Sequence, residues 1–160
     1  MKRVTRIYRL GLILIAATLI ACAGMEPKIS TPGVSLRNVQ VQELDFSRQV
    51  FLMGFDVTNP NAFPLPIRTI SYTVRLDGQH FAGGSTESAF TVAAQSDGEF
   101  AISVELDLLR TAPQLLYTVY DGVSRDIPYE LKGQLGIDIP FVKPLTYESR
   151  GEIRLYASKF

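Results

Sequence analysis

Few side chains in this sequence could do covalent or acid–base chemistry, and each stands apart from the partners such chemistry needs. Cys22 is the single cysteine among 160 residues and His80 the single histidine. A thiolate is both a nucleophile and a metal ligand, yet no histidine or second cysteine lies near Cys22 to complete a metal or catalytic set. His80 follows an Asp77-Gly78 turn and reads as a surface strand residue. A Ser-His-Asp triad would have to use it, and no Gly-x-Ser-x-Gly elbow is present. Glu105 and Asp107 sit two apart, on one face of a strand, where they mimic a carboxylate pair or a calcium site. Acids on a solvated strand face are ordinarily solubilising, and that is the reading adopted. Gly83-Gly84-Ser85 lacks the lysine and the following helix of a phosphate loop and reads as a bulge or turn. The expectation is therefore a protein that is not an enzyme, with no metal, no cofactor and no identified small-molecule substrate.

The context of Cys22 gives it a different chemistry. Lys2, Arg3, Arg6 and Arg9 form a positive segment, followed by an apolar run from Leu10 to Ile20 that is too short to span a bilayer. The run ends Leu19-Ile20-Ala21-Cys22, which resembles the lipobox of bacterial lipoproteins. That resemblance implies cleavage before Cys22, a diacylglyceryl group on its thiol and an acylated amine. One acyl chain holds a protein marginally, and two or more hold it stably. Residues 1–21 are thus expected to be a signal peptide and 22–32 a lipidated N-terminus and tether. A tether of such composition reaches roughly 30 Å when extended. Ala23, where the inner-membrane retention signal has Asp, implies the periplasmic face of the outer membrane.

Cleavage after Ala21 removes four of the 16 cations and none of the 16 acids, leaving 139 residues with a formal charge of −4. That length suits one domain with a substantial core. The mild acidity gives no electrostatic footprint for nucleic acid and no pull toward anionic lipid. Membrane binding is then left to the lipid on Cys22. The apolar content is that of a folded chain rather than a disordered one.

The elements centre on the stretch Val50 to Ile67. Phe51, Met53, Phe55 and Val57 alternate onto one face, while Val50 and Leu52 make the other face apolar at its start, as in a central strand. Asn59-Pro60-Asn61 stops it. Pro60 has no N–H for a ladder and pushes Asn59 to an extended conformation. Both asparagines can bond nearby backbone, and Asn61 tolerates positive φ. Two readings of this loop stand together: a structural turn and a binding loop. The same holds for bulky residues in loops, Phe63 and Leu65 between prolines 64 and 66, and Phe141 and Val142 ahead of Leu145. They either plug the ends of the fold or form a contact patch for a client protein or a membrane.

The order of apolar strand, Asn59-Pro60-Asn61, Phe63-Pro64-Leu65-Pro66-Ile67 and an Asp77-Gly78 hairpin resembles the water-stress and hypersensitive-response (WHy) domain of group two late embryogenesis abundant proteins. The resemblance runs from about Val34 to Tyr156. It implies an all-β, antiparallel sandwich of immunoglobulin or fibronectin III type, about seven strands with one short helix, over 33–160. It also implies protection of other macromolecules under drying or related stress.

Local patterns add detail. Val34 and Leu36 point one way and Val39 and Val41 the other, which predicts a bulge near Arg37-Asn38. Ile67–Asp77 alternates with Ile70, Tyr72, Val74 and Leu76 inward, and Asp77-Gly78 predicts a tight hairpin. Gly83-Gly84 is expected to break or bulge a short strand starting at Gln79, with a weaker one over Ser88–Ala93 and a turn at Ser96-Asp97-Gly98. Glu99–Leu108 alternates with Phe100, Ile102, Val104, Leu106 and Leu108 inward. Thr111-Ala112-Pro113-Gln114 resembles a capping box opening a helix to about Asp121. Tyr129–Asp138 and Glu148–Tyr156 close the list of strands. Two functions fit: a lipid-anchored protective or binding module in the envelope, or an accessory lipoprotein covered by a dedicated partner of an envelope assembly.

Overall fold

A computed structural model describes residues 29–45, 48–111, 113–121 and 125–157. Cys22 and the segment before it lie outside the described residues. Eight strands run in the order β1 (Gly33–Leu44), β2 (Gln49–Asn59), β3 (Leu65–Leu76), β4 (Gln79–Val92), β5 (Ser96–Leu106), β6 (Ile127–Ile137), β7 (Leu145–Ile153) and β8 (Leu155–Ala157). Between β5 and β6 come two helical pieces, α1 (Leu108–Thr111) and α2 (Pro113–Asp121). The strands form two four-stranded sheets, ordered β5-β2-β1-β8 and β4-β3-β6-β7. All pairs are antiparallel except β1 with β8. The expected all-β sandwich with a short helical segment is what forms.

Strand β2 is an inner strand of its sheet, and Phe51, Met53, Phe55 and Val57 are all fully buried. Phe55 stacks on Phe100 with centroids 4.7 Å apart and meets Tyr72 of the facing sheet at 6.1 Å. The bulge in β1 falls between Leu36 and Asn38. It takes up one residue, so Val34, Leu36, Val39 and Val41 all reach the core despite their change of parity. The Asp77-Gly78 turn has φ of 50° and 75°, positive at both positions as a two-residue hairpin requires.

Four expectations are corrected. Gly83-Gly84 neither breaks nor bulges a strand: β4 is continuous over 14 residues, with Gly83 and Gly84 in regular register opposite Thr73 and Tyr72. Gly84 lies opposite Tyr72, and an added Cβ there would meet the Tyr72 hydroxyl at 3.4 Å. The turn after β4 sits earlier than Ser96-Asp97-Gly98, with Gln95 at φ 50° and β5 already begun at Ser96. The inward residues of β5 (Phe100, Ile102, Val104 and Leu106) are only partly buried, because β5 has a neighbour on one side alone. The last strand is two: β7 belongs to one sheet, and after Arg154 the chain crosses to pair β8 with β1 in the other.

The helical segment begins before Thr111. Asp107 leaves the strand face and caps it, its Oδ1 accepting from the Arg110 N–H at 3.1 Å. Leu108 is buried at the start of α1 rather than on β5. Its N–H donates to Oε1 of Gln49 at 2.8 Å, and Nε2 of Gln49 donates to the Asp45 carbonyl at 2.6 Å. Leu115 and Val119 then seat α2 on the sandwich, as their spacing predicts.

In the second sheet one register row runs Gly84, Tyr72, Gly133, Tyr147. The missing side chain of Gly133 leaves room for the Tyr147 ring, whose hydroxyl donates to the Ser71 carbonyl at 2.8 Å. Burial holds the Tyr147 phenol well above its ordinary value, with a further push from Tyr72. The Tyr72 phenol is raised by burial as well.

Candidate functional site

The strand registers gather one set of loops at one end of the sandwich. The start of β1 lies against the end of β2 (Gly33 opposite Thr58), and the end of β2 against the start of β5 (Asn59 opposite Ser96). Leu65 at the start of β3 pairs with Val92 at the end of β4, Ile67 with Ile137, and Leu135 with Leu145. The incoming residues 29–32, the loop 60–64, the turn 93–95 and the loop 138–144 therefore share this end. The Asp77-Gly78 hairpin and both helical pieces lie at the other.

Asn59 and Asn61 hold this end together from inside. Both side chains are buried, while Pro60 between them is exposed. Nδ2 of Asn59 donates toward the carbonyls of Phe63 (2.9 Å), Ala93 (2.9 Å) and Val92 (3.2 Å). Oδ1 of Asn59 accepts from both the N–H and the Nδ2 of Asn61, at 3.0 and 2.9 Å. Asn61 then captures the incoming chain: its Oδ1 accepts from Ser30 N–H at 2.8 Å and its Nδ2 donates to Ser30 carbonyl at 3.0 Å. Its own carbonyl accepts from Gln95 N–H at 2.9 Å. Three segments, the incoming chain, the loop after β2 and the turn after β4, are tied at the two amides, and no buried polar side-chain atom among the described residues is left without a partner. Among the described non-glycine residues the positive φ falls at Asp77, Gln95 and Phe141, not at Asn61.

The loop residues divide. Leu65 is fully buried and Val142 packs partly against the core, so both plug the end of the sandwich. Phe63 is exposed, and Phe141 stands wholly in solvent with a φ of 67°. Of the other singled-out residues, Glu105 sits 3.6 Å from Arg48, and Asp107 is the cap described above. The two acids are thus not a pair. Among the described residues no group of three or more His, Cys, Asp or Glu could hold a metal ion. Ser30 and Gln95 were not legible as contributors, because they meet Asn61 across about thirty residues of chain.

The match to known proteins follows the same elements. The family model for late embryogenesis abundant protein, LEA_2, covers residues 55–153. The chain belongs to the LEA_2 family. It is 30% identical over 132 residues to the "Probable desiccation-related protein LEA14" of Arabidopsis thaliana, covering 79% of this chain and 83% of that one. It is also 30% identical over 135 residues to "Late embryogenesis abundant protein Lea14-A" of Gossypium hirsutum, covering 81% and 82%. The solution structure of AT1g01470 from Arabidopsis thaliana superposes with a TM-score of 0.60 at 27% identity, covering 86% of this chain and 91% of that one. The LEA_2 match begins at Phe55, so it takes in the buried asparagine pair and the four strands of the second sheet.

Proposed function

We propose that this LEA_2 protein is a non-catalytic stress-protection module of WHy type, carried on the bacterial envelope by lipid on Cys22. The observation that carries the protective reading is the family match over 55–153, on a domain whose candidate chemical groups hold the fold. Asn59 and Asn61 clamp one end, Asp107 caps a helix and Glu105 faces Arg48. Relatives described as desiccation-related support the same role. Such a domain acts by presenting a stable surface to other proteins or membranes, with no turnover. The signal-like segment and Leu19-Ile20-Ala21-Cys22 support the anchor, and Ala23 supports the periplasmic face of the outer membrane.

Two measurements test the two halves. The activity of an unrelated labile enzyme after drying should be better preserved with this protein than with an equal mass of a neutral control protein. Equal loss would remove the protective reading. Mass spectrometry of membrane-extracted protein should find a chain starting at Cys22 with added acyl mass, absent in Cys22→Ser. Unmodified mature protein free in the periplasm would remove the anchor.

A further inference from the structure

We infer that the end of the sandwich bearing Phe63 and Phe141 is a membrane-docking face, pressed on the bilayer that holds the chain's own anchor. This rests on the reading of Cys22 as lipidated. The geometry begins with the incoming chain. Ser30 is fastened to Asn61 by two hydrogen bonds, and Ile29 packs against the core. The domain therefore has a fixed point of attachment at the end defined by loops 60–64 and 138–144. Only six residues separate Ile29 from Cys22, and the seven steps between the two span about 25 Å at most. A domain held so closely by a point on one end turns that end toward the lipid.

That end carries what a lipid surface would take. Phe141 is 102% exposed and Phe63 38%. Water is an unfavourable place for a whole phenyl ring, and Phe141 sits at a backbone φ of 67° between Pro140 and Pro144. The loop 60–64 has no charged residue, and the exposed Lys143 is the single charge over 139–144, of the sign that a lipid phosphate attracts. Two acids of this end have partners: Asp138 faces Arg68 at 3.8 Å and Asp97 accepts from the Thr58 hydroxyl at 2.7 Å. The opposite end offers an internal comparison, since Tyr117 on α2 is 82% exposed there. Exposure alone would make Tyr117 and Phe141 equal; proximity to the anchor makes them different. Docking is apolar insertion added to the acyl chains, a second weak membrane contact that fixes orientation.

The test uses the full chain, expressed in a bacterial host and extracted from membranes. Phe141→Cys and Tyr117→Cys each give one free thiol once Cys22 is a thioether, and each is labelled with bimane. The protein is placed in vesicles of phosphatidylethanolamine and phosphatidylglycerol, with and without brominated lipid. Mass spectrometry of the same sample reads the acyl mass on Cys22. The expected result is acylated protein with label 141 blue-shifted and quenched severalfold more than label 117. Acylated protein in which label 141 is quenched no more than label 117 overturns the docking face and leaves the anchor standing. Protein without acyl mass overturns both, because the orientation derives from the anchor.

Discussion

Asn61 and Asn59 are joined twice: the Nδ2 of Asn61 and its backbone N–H both donate to the one Oδ1 of Asn59, at 2.9 and 3.0 Å. The other bonds of the two side chains reach the carbonyls of Phe63, Ala93 and Ser30 and the N–H of Ser30. This changes what a substitution does. A glycine at 61 would be harmless if the position needed only positive φ, but the backbone there is not in that region. Asn61→Gly instead removes the bonds to Ser30 and leaves the buried Asn59 oxygen with one donor fewer. The expected cost is about 1–3 kcal/mol, read as a lower urea midpoint with an unchanged slope. A wild-type midpoint would show that the pair does not stabilise the fold.

Charge at the neighbouring position is expected to be worse than truncation. Asn59→Ala deletes a donor group that faces three carbonyls. Asn59→Asp puts an anionic oxygen against those same carbonyls in a buried site, where charge without a partner is strongly disfavoured. Thermal midpoints should fall in the order wild type, Asn59→Ala, Asn59→Asp. The reverse order for the two variants would mean that the site admits water or a cation.

Position in the sheet separates two residues that alternate equally well along their strands. Phe55 is fully buried between Phe100 and Tyr72, so Phe55→Ala should cost on the order of 3–5 kcal/mol. Ile102 points the same way but lies on the edge strand β5, partly open to solvent. The same truncation there should cost well under half as much, because less area leaves water and a half-open site collapses more easily. Chemical denaturation of the two variants checks this; equal losses would place β5 inside the sheet.

The difference between Phe55 and Ile102 also marks what sequence could and could not reveal. Alternation in Val50–Val57 and Ile67–Leu76 showed which face is inward, since each strand repeats every two residues. It could not show which strand stands at an edge, because strand order is set by pairing between distant segments. The bulge at Arg37 was legible from a parity switch, and the Asp77-Gly78 turn from residue type. The Asp107 cap was missed because Glu105 and Asp107 keep strand parity to the last residue. The crossing at Arg154 was missed for the same reason, with Ile153 and Leu155 both buried and two apart. For the asparagine pair, the residue types announced a turn. Their burial depends on Ser30 and on Val92–Gln95, contacts about thirty residues away that no local pattern encodes.

Two glycines should respond to substitution for different reasons. At Gly133 an added Cβ would overlap the Ser71 carbonyl and lie 2.5 Å from the Tyr147 hydroxyl. Gly133→Ala is therefore expected to cost at least about 3 kcal/mol by overpacking. Because one clash is with backbone, Tyr147→Phe should not rescue it. At Gly78 an added Cβ meets nothing within 4 Å, and only the φ of 75° is restrictive. Gly78→Asn should be mild and Gly78→Val should not, since asparagine adopts this region far more readily. Thermal denaturation of the four variants distinguishes crowding from torsion.

Alkaline pH is expected to weaken the fold through two buried phenols. Tyr147 and Tyr72 are both raised above the ordinary phenol value of 10.0, Tyr147 through burial first and Tyr72 second. The folded state keeps these phenols protonated at a pH where the unfolded chain releases its protons. The unfolded state then binds fewer protons than the folded one, so stability must fall as pH rises. The stabilisation is fully present below about pH 10 and is lost progressively above it. Tyr147→Phe removes one of the two groups and also the 2.8 Å bond to the Ser71 carbonyl. At neutral pH the variant should be weaker by about 0.5–1.5 kcal/mol, the loss of one hydrogen bond. As pH rises toward about 11 its stability should fall less steeply than wild type, so that the gap between them narrows. Urea unfolding across that range measures both slopes. Parallel slopes would show that the Tyr147 phenol titrates alike in the folded and unfolded chain, and that its burial against Gly133 opens at high pH.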